Sequence, residues 1–301
     1  MDLSISIGNT RLASPVCVAS GTFGYGSEYE HLTDFNSIGA IFTKAVTLEA
    51  RPGNASPRII ETPSGLLNSI GLANVGVDNF LIQKMPFLSN LPCAIIPNVA
   101  GCTENEYIEV VEKLEQTRTI FGYEINVSCP NVKRGAMAFG TQPSIVESLT
   151  AQLRKITNKP LIIKLSPNVT DITDIARAAE QGGADAISCI NTLIGMKINI
   201  AKKKTELSTG TGGLSGPAIR PVGVAMTYKV SRAVSIPIFG IGGIMNDRDA
   251  LEYLLAGASA VQIGTANFVN PSTVKDVLQG ITRYCQKEKI SCIQDLHSFL
   301  L

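Results

Sequence analysis

Residues 161–190 read LIIKLSPNVTDITDIARAAEQGGADAISCI, and this stretch decides the fold. It begins with the apolar run 161–165 and ends with a second apolar run, 186–190, and each has the length and composition of a buried strand. Between the two runs, residues 171–181 place apolar side chains at helical spacing. A strand, a helix and a second strand in this order are typical of a parallel β/α unit.

The same unit recurs along most of the chain. Apolar runs of strand length occupy residues 16–19, 40–43, 94–99, 123–127, 161–165, 186–190, 236–241 and 260–263. Amphipathic stretches lie at residues 104–116, 144–157, 171–181, 217–233, 247–256 and 272–287. Eight β/α units predict a (β/α)8 TIM barrel, and a doubly wound open sheet is the alternative α/β fold. We expect one domain over residues 1–301, with an N-terminal hairpin at residues 3–12.

The composition excludes several classes of function. The formal net charge is +1, so no strong field attracts nucleic acid or an acidic membrane surface, and no apolar run reaches the length of a membrane span. The first residues, MDLSISI, lack the basic and apolar regions of a signal peptide. Seven scattered cysteines without a CxxC pair argue against a disulfide framework and against a metal or iron–sulfur cluster held by this chain alone. We therefore expect a cytoplasmic protein.

Two connections are too long for simple crossovers between barrel strands. Residues 47–80 and 191–216 are both rich in Gly and Asn or Thr, and proline interrupts the first of them. Long loops in compact domains are usually lids or binding loops. The sequence therefore predicts long functional loops at the top of the barrel.

One cysteine occupies a position where barrels carry their chemistry. Strand 123–127 runs into Ser128, Cys129, Pro130 and Asn131, and proline cannot continue a buried ladder of hydrogen bonds. The thiol is thereby left at the carboxyl tip of a strand, where active sites of this fold lie. A thiol there can act as an acid, a base or a nucleophile. The alternative is a buried structural cysteine, which the polar neighbours disfavour.

Glycines follow the last two predicted strands. Gly242 and Gly243 end the seventh strand, and Gly264 and Thr265 end the eighth. Glycine lets backbone N–H groups approach an anion closely, and the loops after these two strands are the frequent phosphate site of this fold. The sequence therefore predicts a phosphate cradle, with simple turn glycines as the alternative.

Lysines and carboxamides recur at the same level of the barrel. Lys44 and Lys164 lie at the ends of apolar strands, where a cation needs a charged partner, an electron-rich cofactor or an anionic substrate, unless water solvates it. Asparagines stand at strand ends or in the long second loop: Asn68, Asn74, Asn98, Asn126 and Asn191. Amides offer donors and an acceptor without charge, which suits a planar heterocycle with carbonyl edges.

These motifs resemble the class 1 dihydroorotate dehydrogenases over the whole chain. The specific pieces are NSIGL at residues 68–72, NVSCPN at residues 126–131, and Gly242-Gly243. Within that class, NTLIGM at residues 191–196 and GGLSG at residues 212–216 are similar to the type-B catalytic subunit, which passes electrons to NAD through a separate subunit. The chain departs from the class pattern at Ala136, Lys197 and Asn199.

The resemblance implies a set of residues for a non-covalent FMN, one per chain, across the barrel mouth. Its phosphate would be held by Gly216, Gly242, Gly243, Gly264 and Thr265. Its ring and ribityl chain would be lined by Ser20, Lys44, Ala45, Asn98, Asn126, Lys164 and Ile190. The substrate would be gripped by Lys44, Asn68, Ser69, Ile70, Gly71, Leu72, Asn126, Asn191 and Thr192. Cys129 would take the proton from C5 of dihydroorotate while C6 gives hydride to the flavin.

The resemblance also implies partners and a pathway. Two chains would form a homodimer, and subunits carrying FAD and a [2Fe-2S] cluster would complete a heterotetramer that makes orotate for UMP synthesis. Lys202, Lys203 and Lys204 would form a solvated face or part of that contact. The alternatives are a related flavin-dependent pyrimidine reductase, a fumarate-linked dihydroorotate dehydrogenase, and a phosphate-binding barrel that serves only as a scaffold.

Overall fold

The barrel is built from eight parallel strands. The computed structural model describes residues 1–128, 130–131 and 137–299. Within them the strands are β1 Val16–Val18, β2 Ala40–Phe42, β3 Ala94–Ile96 with Asn98–Val99, β4 Tyr123–Asn126, β5 Leu161–Lys164, β6 Ala186–Cys189, β7 Ile238–Ile241 and β8 Ala260–Ile263. The predicted (β/α)8 TIM barrel is thereby confirmed.

The barrel closes through a strand that proline divides. Pro97 has no N–H group and splits β3 into two short segments. The first segment pairs with β2 and the second pairs with β4, and every other barrel strand pairs with its neighbours around the ring. The sheet therefore has no free edge at this point, because both sides of β3 are occupied.

Helices cover the outside of the barrel after β3 and each later strand. In chain order they are Glu104–Glu115, Pro143–Arg154, Ile172–Gln181, Arg220–Ser231, Asp247–Leu255, Ala266–Val269 and Thr273–Lys287. Three of them begin at a side chain that accepts a backbone N–H of the first turn, from Thr103, Asp171 and Asn246. Ile172–Gln181 buries Ile172, Ile175 and Ala179, one apolar stripe against the strands.

The first two units depart from this pattern. After β1 the chain forms only the 3-10 turns Ser27–Tyr29 and Phe35–Ser37. After β2, a long excursion ends in the helical segments Val77–Asn79, Phe80–Lys84 and Met85–Leu88. No helix in the described part of the chain is long and apolar enough to cross a membrane.

The N-terminal hairpin lies at the amino-terminal end of the barrel. Ile5–Ile7 pairs antiparallel with Thr10–Leu12, as the sequence predicts. Ile5, Ile7 and Leu12 are buried in the main core, and the turn at Gly8 lies against Asp185, just before β6. The carboxyl-terminal end of the strands, at the opposite end of the barrel, is where the candidate site lies.

The two long loops combine into one sheet above that end. Ile59–Thr62 and Gly65–Asn68 come from the second loop, and Leu193–Met196 and Thr211–Ser215 come from the sixth. They form a four-stranded antiparallel sheet, here called the lid sheet, in which Gly65–Asn68 pairs with Thr211–Ser215 across the loops. Two smaller antiparallel pairs accompany it, Ile198–Asn199 with Lys204–Thr205 and Pro130–Asn131 with Met137–Ala138.

Candidate active site at the barrel mouth

The strand ends bring the predicted cofactor residues to one rim. Each lies in or directly after a barrel strand: Ser20 after β1, Lys44 and Ala45 after β2, Asn98 in β3, Asn126 in β4, Lys164 in β5, Ile190 after β6, Gly242 and Gly243 after β7, and Gly264 and Thr265 after β8. Because the strands are parallel in one closed barrel, their carboxyl ends face the same mouth. Gly216 reaches this rim from the end of the lid sheet.

Two glycines form a close backbone contact at the rim. Gly216 and Gly243 have φ angles of +93° and +68°, which favour glycine. A β-carbon on Gly243 would lie 2.6 Å from the carbonyl oxygen of Gly216, 2.9 Å from the Arg220 β-carbon and 3.1 Å from the Arg220 backbone nitrogen. A side chain at Gly243 is therefore excluded, and the close backbone approach that glycine permits suits a phosphate.

The neighbouring strand end completes this cradle. At Gly264 a β-carbon would make an ordinary contact, 3.6 Å from the Ala19 β-carbon, so this glycine is not required by crowding among the described residues. The hydroxyl of Thr265 lies 2.9 Å from that of Ser215, which joins β8 to the lid sheet. On the other side, the Tyr253 hydroxyl donates to the Gly242 carbonyl at 2.7 Å and holds the end of β7 in place.

A buried polar layer lies inside the barrel beneath the mouth. It consists of Asn98, Glu124, Lys164, Ser188 and Gln262, from five different strands. The Glu124 side chain is 0% exposed and that of Lys164 is 7% exposed, and their charged atoms are 3.4 Å apart. Asn98 and Gln262 donate to the same carboxylate at 2.6 and 3.1 Å.

Sequence reasoning missed the partner of Lys164. Glu124 and Asn126 are two residues apart on β4, so their side chains face the same side of the strand. The signal was present, because Glu124 is a charged residue within an apolar strand, as Lys164 is. Gln262 is likewise a polar residue within an apolar strand, Ala260–Ile263.

Two asparagines meet above this layer. Asn191 donates through its side-chain nitrogen to the side-chain oxygen of Asn126 at 3.3 Å. The same oxygen accepts the backbone N–H of Ser128 at 3.2 Å, and the Tyr107 hydroxyl donates to the Asn126 carbonyl at 2.8 Å. Residues from β4 and from the start of the sixth loop are therefore joined at the mouth.

Lys44 is partly buried, and its side-chain ammonium makes no hydrogen bond or ion pair with any described residue. Burial lowers the pKa of its ammonium, the nearby Arg58 lowers that pKa further, and Glu28 opposes both effects. A partly desolvated ammonium at a barrel mouth attracts an anionic ligand, because the ligand's negative charge compensates for the hydration that the ammonium loses on burial.

The predicted substrate residues 68–72 lie in the second long loop, where Asn68 contacts the sixth loop. The side chain of Asn68 donates to the Gly213 carbonyl at 3.2 Å, and the Asn54 side chain donates to the Ser69 carbonyl at 3.1 Å. Gly71 has a φ of +69° and packs against Asn54, and Leu72 has a φ of +56°, an uncommon value for a leucine.

The remaining predicted substrate residues, and Asn74, make hydrogen bonds in different parts of the two loops. The Ile70 carbonyl accepts the backbone N–H of Asn54 at 3.0 Å. The Thr192 carbonyl accepts from the Asn168 side chain at 3.0 Å, which caps the edge of the lid sheet. Asn74 is not brought to the mouth network, since its side chain binds Thr47 and the Gly76 backbone inside the second loop.

Two of the departures from the class pattern stabilise the lid. Lys197 donates to the Glu61 carbonyl at 3.0 Å and so joins the sixth loop to the second. Asn199 accepts the backbone N–H of Lys202 at 2.9 Å and closes the small hairpin. Lys202, Lys203 and Lys204 are exposed there, as expected.

Cys129, the predicted base, lies outside the described residues, and so does Ala136. Burial raises the pKa of the Cys93 and Cys189 thiols to about 12, and raises the pKa of Cys17 further. Those three thiols stay protonated and belong to the packing of the barrel strands. No group of three or more His, Cys, Asp or Glu side chains within the described part of the chain could hold a metal ion.

The mouth fits a flavin nucleotide. The cradle of Gly216 and Gly243 excludes side chains where a phosphate needs backbone donors. Beneath it, the side-chain oxygens of Asn98 and Gln262 are buried without a hydrogen-bond partner in the described structure. Buried acceptors of this kind are normally satisfied, and a heterocycle bearing N–H groups would satisfy them.

Comparisons with known proteins agree with this description. The family model described as dihydroorotate dehydrogenase matches residues 2–284. A dihydroorotate dehydrogenase B (NAD(+)) catalytic subunit from Geotalea daltonii is 51% identical over 98% of this chain and 97% of that protein. The protein of the same name from Desulforamulus reducens is 50% identical over the same shares.

One solved structure is similar in fold. The crystal structure of DHODH from Eimeria tenella in complex with ferulenol aligns with a TM-score of 0.81 and 22% sequence identity. The alignment covers 98% of this chain and 87% of that one. At this identity the likeness concerns the barrel alone.

Proposed function

The chain belongs to the dihydroorotate dehydrogenase family, and from this premise we propose that it is the catalytic subunit of an NAD-linked enzyme that oxidises dihydroorotate to orotate in pyrimidine synthesis. One observation carries the proposal. The glycine cradle, the paired asparagines and the desolvated Lys44 occupy the same barrel mouth, which suits a phosphorylated flavin and an anionic pyrimidine together.

The cofactor of the proposal is one non-covalent FMN, held by the whole chain as a single domain. Gly216, Gly242, Gly243, Gly264 and Thr265 would hold its phosphate. Ser20, Lys44, Ala45, Asn98, Asn126, Lys164 and Ile190 would line its ring and ribityl chain. When bound, the flavin supplies the acceptor for the hydride that leaves C6 of the substrate.

The substrate contacts of the proposal combine one cation with several amides. Lys44 would pair with the carboxylate of orotate. This ion pair would compensate for the hydration that the ammonium loses on burial. Asn68, Asn126, Asn191 and Thr192 would bind the polar edges of the pyrimidine, with Ser69, Ile70, Gly71 and Leu72 as the covering loop. Amides suit a ring that carries both N–H and C=O groups.

Cys129 is the proposed base. It would remove the proton from C5 as the hydride leaves C6, so that a C5=C6 double bond forms. An unperturbed thiol has a pKa of about 8.5, so the reactive thiolate is a minor form at neutral pH unless the site lowers that pKa.

The electrons then leave through a partner. The relatives are named catalytic subunits, which supports a second subunit, and we propose that this subunit carries FAD and a [2Fe-2S] cluster. The assembly of the proposal is a homodimer of this chain within a heterotetramer, in the cytoplasm. Exposed Ile198 and Ile200 lie beside the exposed lysines of the small hairpin, which supports a contact with an acidic, partly apolar partner surface.

The visible spectrum of the purified chain tests this function. We expect flavin absorption bands that bleach when dihydroorotate is added without oxygen. Dihydrouracil lacks the carboxylate and should bleach them far more slowly. A chain without flavin bands even after incubation with FMN would contradict the proposal, and faster bleaching by dihydrouracil would replace it with a different pyrimidine enzyme.

A further inference from the structure

We infer that Glu124 is a positioning residue for the flavin site, because its buried carboxylate holds the Lys164 ammonium in place and turns Asn98 toward the mouth. The inference rests on the proposed function, since Lys164 and Asn98 are two of the residues assigned to the cofactor. Glu124 itself lies one layer deeper on β4 and acts through these neighbours.

Three side chains from three strands converge on the Glu124 carboxylate. One of its oxygens accepts from Asn98 at 2.6 Å and lies 3.4 Å from the Lys164 ammonium, and the other accepts from Gln262 at 3.1 Å. Glu124 is completely buried. A carboxylate removed from water is stable only with such a full set of donors.

The charge of Glu124 matters to Lys164 in particular. The carboxylate is the only ion-pair partner of Lys164 within the described chain. Glu124 therefore fixes where the Lys164 ammonium lies beneath the cofactor position.

The carboxylate also fixes which way two amides face. An ionised carboxylate only accepts hydrogen bonds, so Asn98 and Gln262 must both turn their NH2 groups toward it. Their oxygens are then directed away and lack partners in the described structure. Gln262 donates to Ser188 as well, at 3.0 Å, which ties the arrangement to β6. The acceptor that Asn98 offers to a ligand is thus set by Glu124.

The substitution Glu124→Gln tests this inference, because it keeps the shape and removes the charge. The new amide places one donor against the donors of Asn98 or Gln262, and Lys164 loses its counter-charge. We expect the dissociation constant of FMN to rise about tenfold or more, as for a lost hydrogen bond to a charged group. We also expect the midpoint potential of the bound flavin to rise, because the substitution removes a negative charge beneath it.

A double-mutant cycle separates positioning from a general structural effect. In a Lys164→Met background there is no ammonium to hold, so adding Glu124→Gln should weaken FMN binding less than it does in the wild type. This double variant contains no unpaired buried charge and should fold even where Glu124→Gln does not. Glu115→Gln is the matched control, since Glu115 binds the Tyr123 hydroxyl and Lys159 away from the mouth.

The outcomes are distinct. A rise in the FMN dissociation constant that is smaller in the Lys164→Met background, with Glu115→Gln unchanged, supports the inference. An unchanged dissociation constant or potential in Glu124→Gln overturns it, as does an equal rise in the dissociation constant with and without Lys164. Failure of the wild-type chain to bind FMN would instead remove the proposed function on which the inference rests.

Discussion

A β-carbon on Gly243 would lie 2.6 Å from the carbonyl oxygen of Gly216, so the loop after β7 and the end of the lid sheet meet through backbone alone. Gly243→Ala should therefore push the two segments apart and empty the phosphate position. We expect loss of bound FMN, measured by flavin fluorescence after gel filtration. Gly243→Asp should act more strongly, because its carboxylate would repel the phosphate.

A second glycine serves as the control for that experiment. Gly210 has a φ of +86°, and a β-carbon there would meet nothing closer than 4.0 Å. Gly210→Ala thus introduces similar backbone strain without the contact. Full flavin occupancy in folded Gly243→Ala, or equal loss in both variants, would show that the cradle is not the phosphate site.

Cys129→Ala should retain FMN and bind orotate while flavin reduction slows by roughly 10²–10⁴-fold, the usual cost of losing a positioned base. Cys129→Ser should recover only part of the rate, because a serine hydroxyl seldom ionises. Stopped-flow bleaching by dihydroorotate measures this step directly. In the wild type the rate should rise with pH toward the thiol pKa, since the thiolate is the base. Cys292→Ala is the control, and bleaching of Cys129→Ala at the wild-type rate would make Cys129 a structural thiol.

Orotate affinity should depend on the charge of Lys44. Burial lowers the pKa of this ammonium, so the charged form is present at low pH and is lost as pH rises through that lowered pKa. Affinity should accordingly decline at a lower pH than an ordinary lysine would produce. Titration of the flavin spectrum with orotate across the alkaline range measures it. Lys44→Met should bind weakly at every pH, whereas the exposed Lys203→Met should match the wild type, and a flat profile in the wild type would exclude Lys44 from the carboxylate site.

The electron acceptor should distinguish the two types of the class. The isolated chain is expected to reduce artificial dyes with dihydroorotate and to reduce NAD only slowly, because the sequence contains no second cofactor motif. Adding an FAD/iron–sulfur subunit should confer NAD reduction. An acceptor panel of NAD, fumarate and dye is the measurement. Rapid fumarate reduction would place the chain with the type-A enzymes, and rapid NAD reduction by the lone chain would contradict the proposed path.

The barrel itself could be predicted because each strand is a continuous apolar run and each later helix an amphipathic one. The differences are at boundaries, and they have local causes. β7 begins at Ile238 rather than at residue 236, since Pro237 has no N–H to donate to a ladder. The same absence at Pro97 divides β3.

The lid sheet and the polar layer could not be predicted in this way. Gly65–Asn68 and Thr211–Ser215 are short strands that each contain glycine, and the pairing that joins them is between residues far apart in sequence. Glu124 stands out in the sequence as a charged residue in an apolar strand, but its partners Lys164 and Gln262 lie on other strands, so the sequence does not show which groups it binds. Non-local pairing was the missing information in both cases.

The pairing of the two long loops also constrains how the roof of the site can change over evolution. Asn68 is opposite Gly213, and Leu67 is opposite Leu214, so an insertion within either strand would shift its register against the other. We expect a chimera that takes its sixth loop from a relative to need the second loop of that relative as well. The two loops, although distant in sequence, act as one structural unit above the mouth.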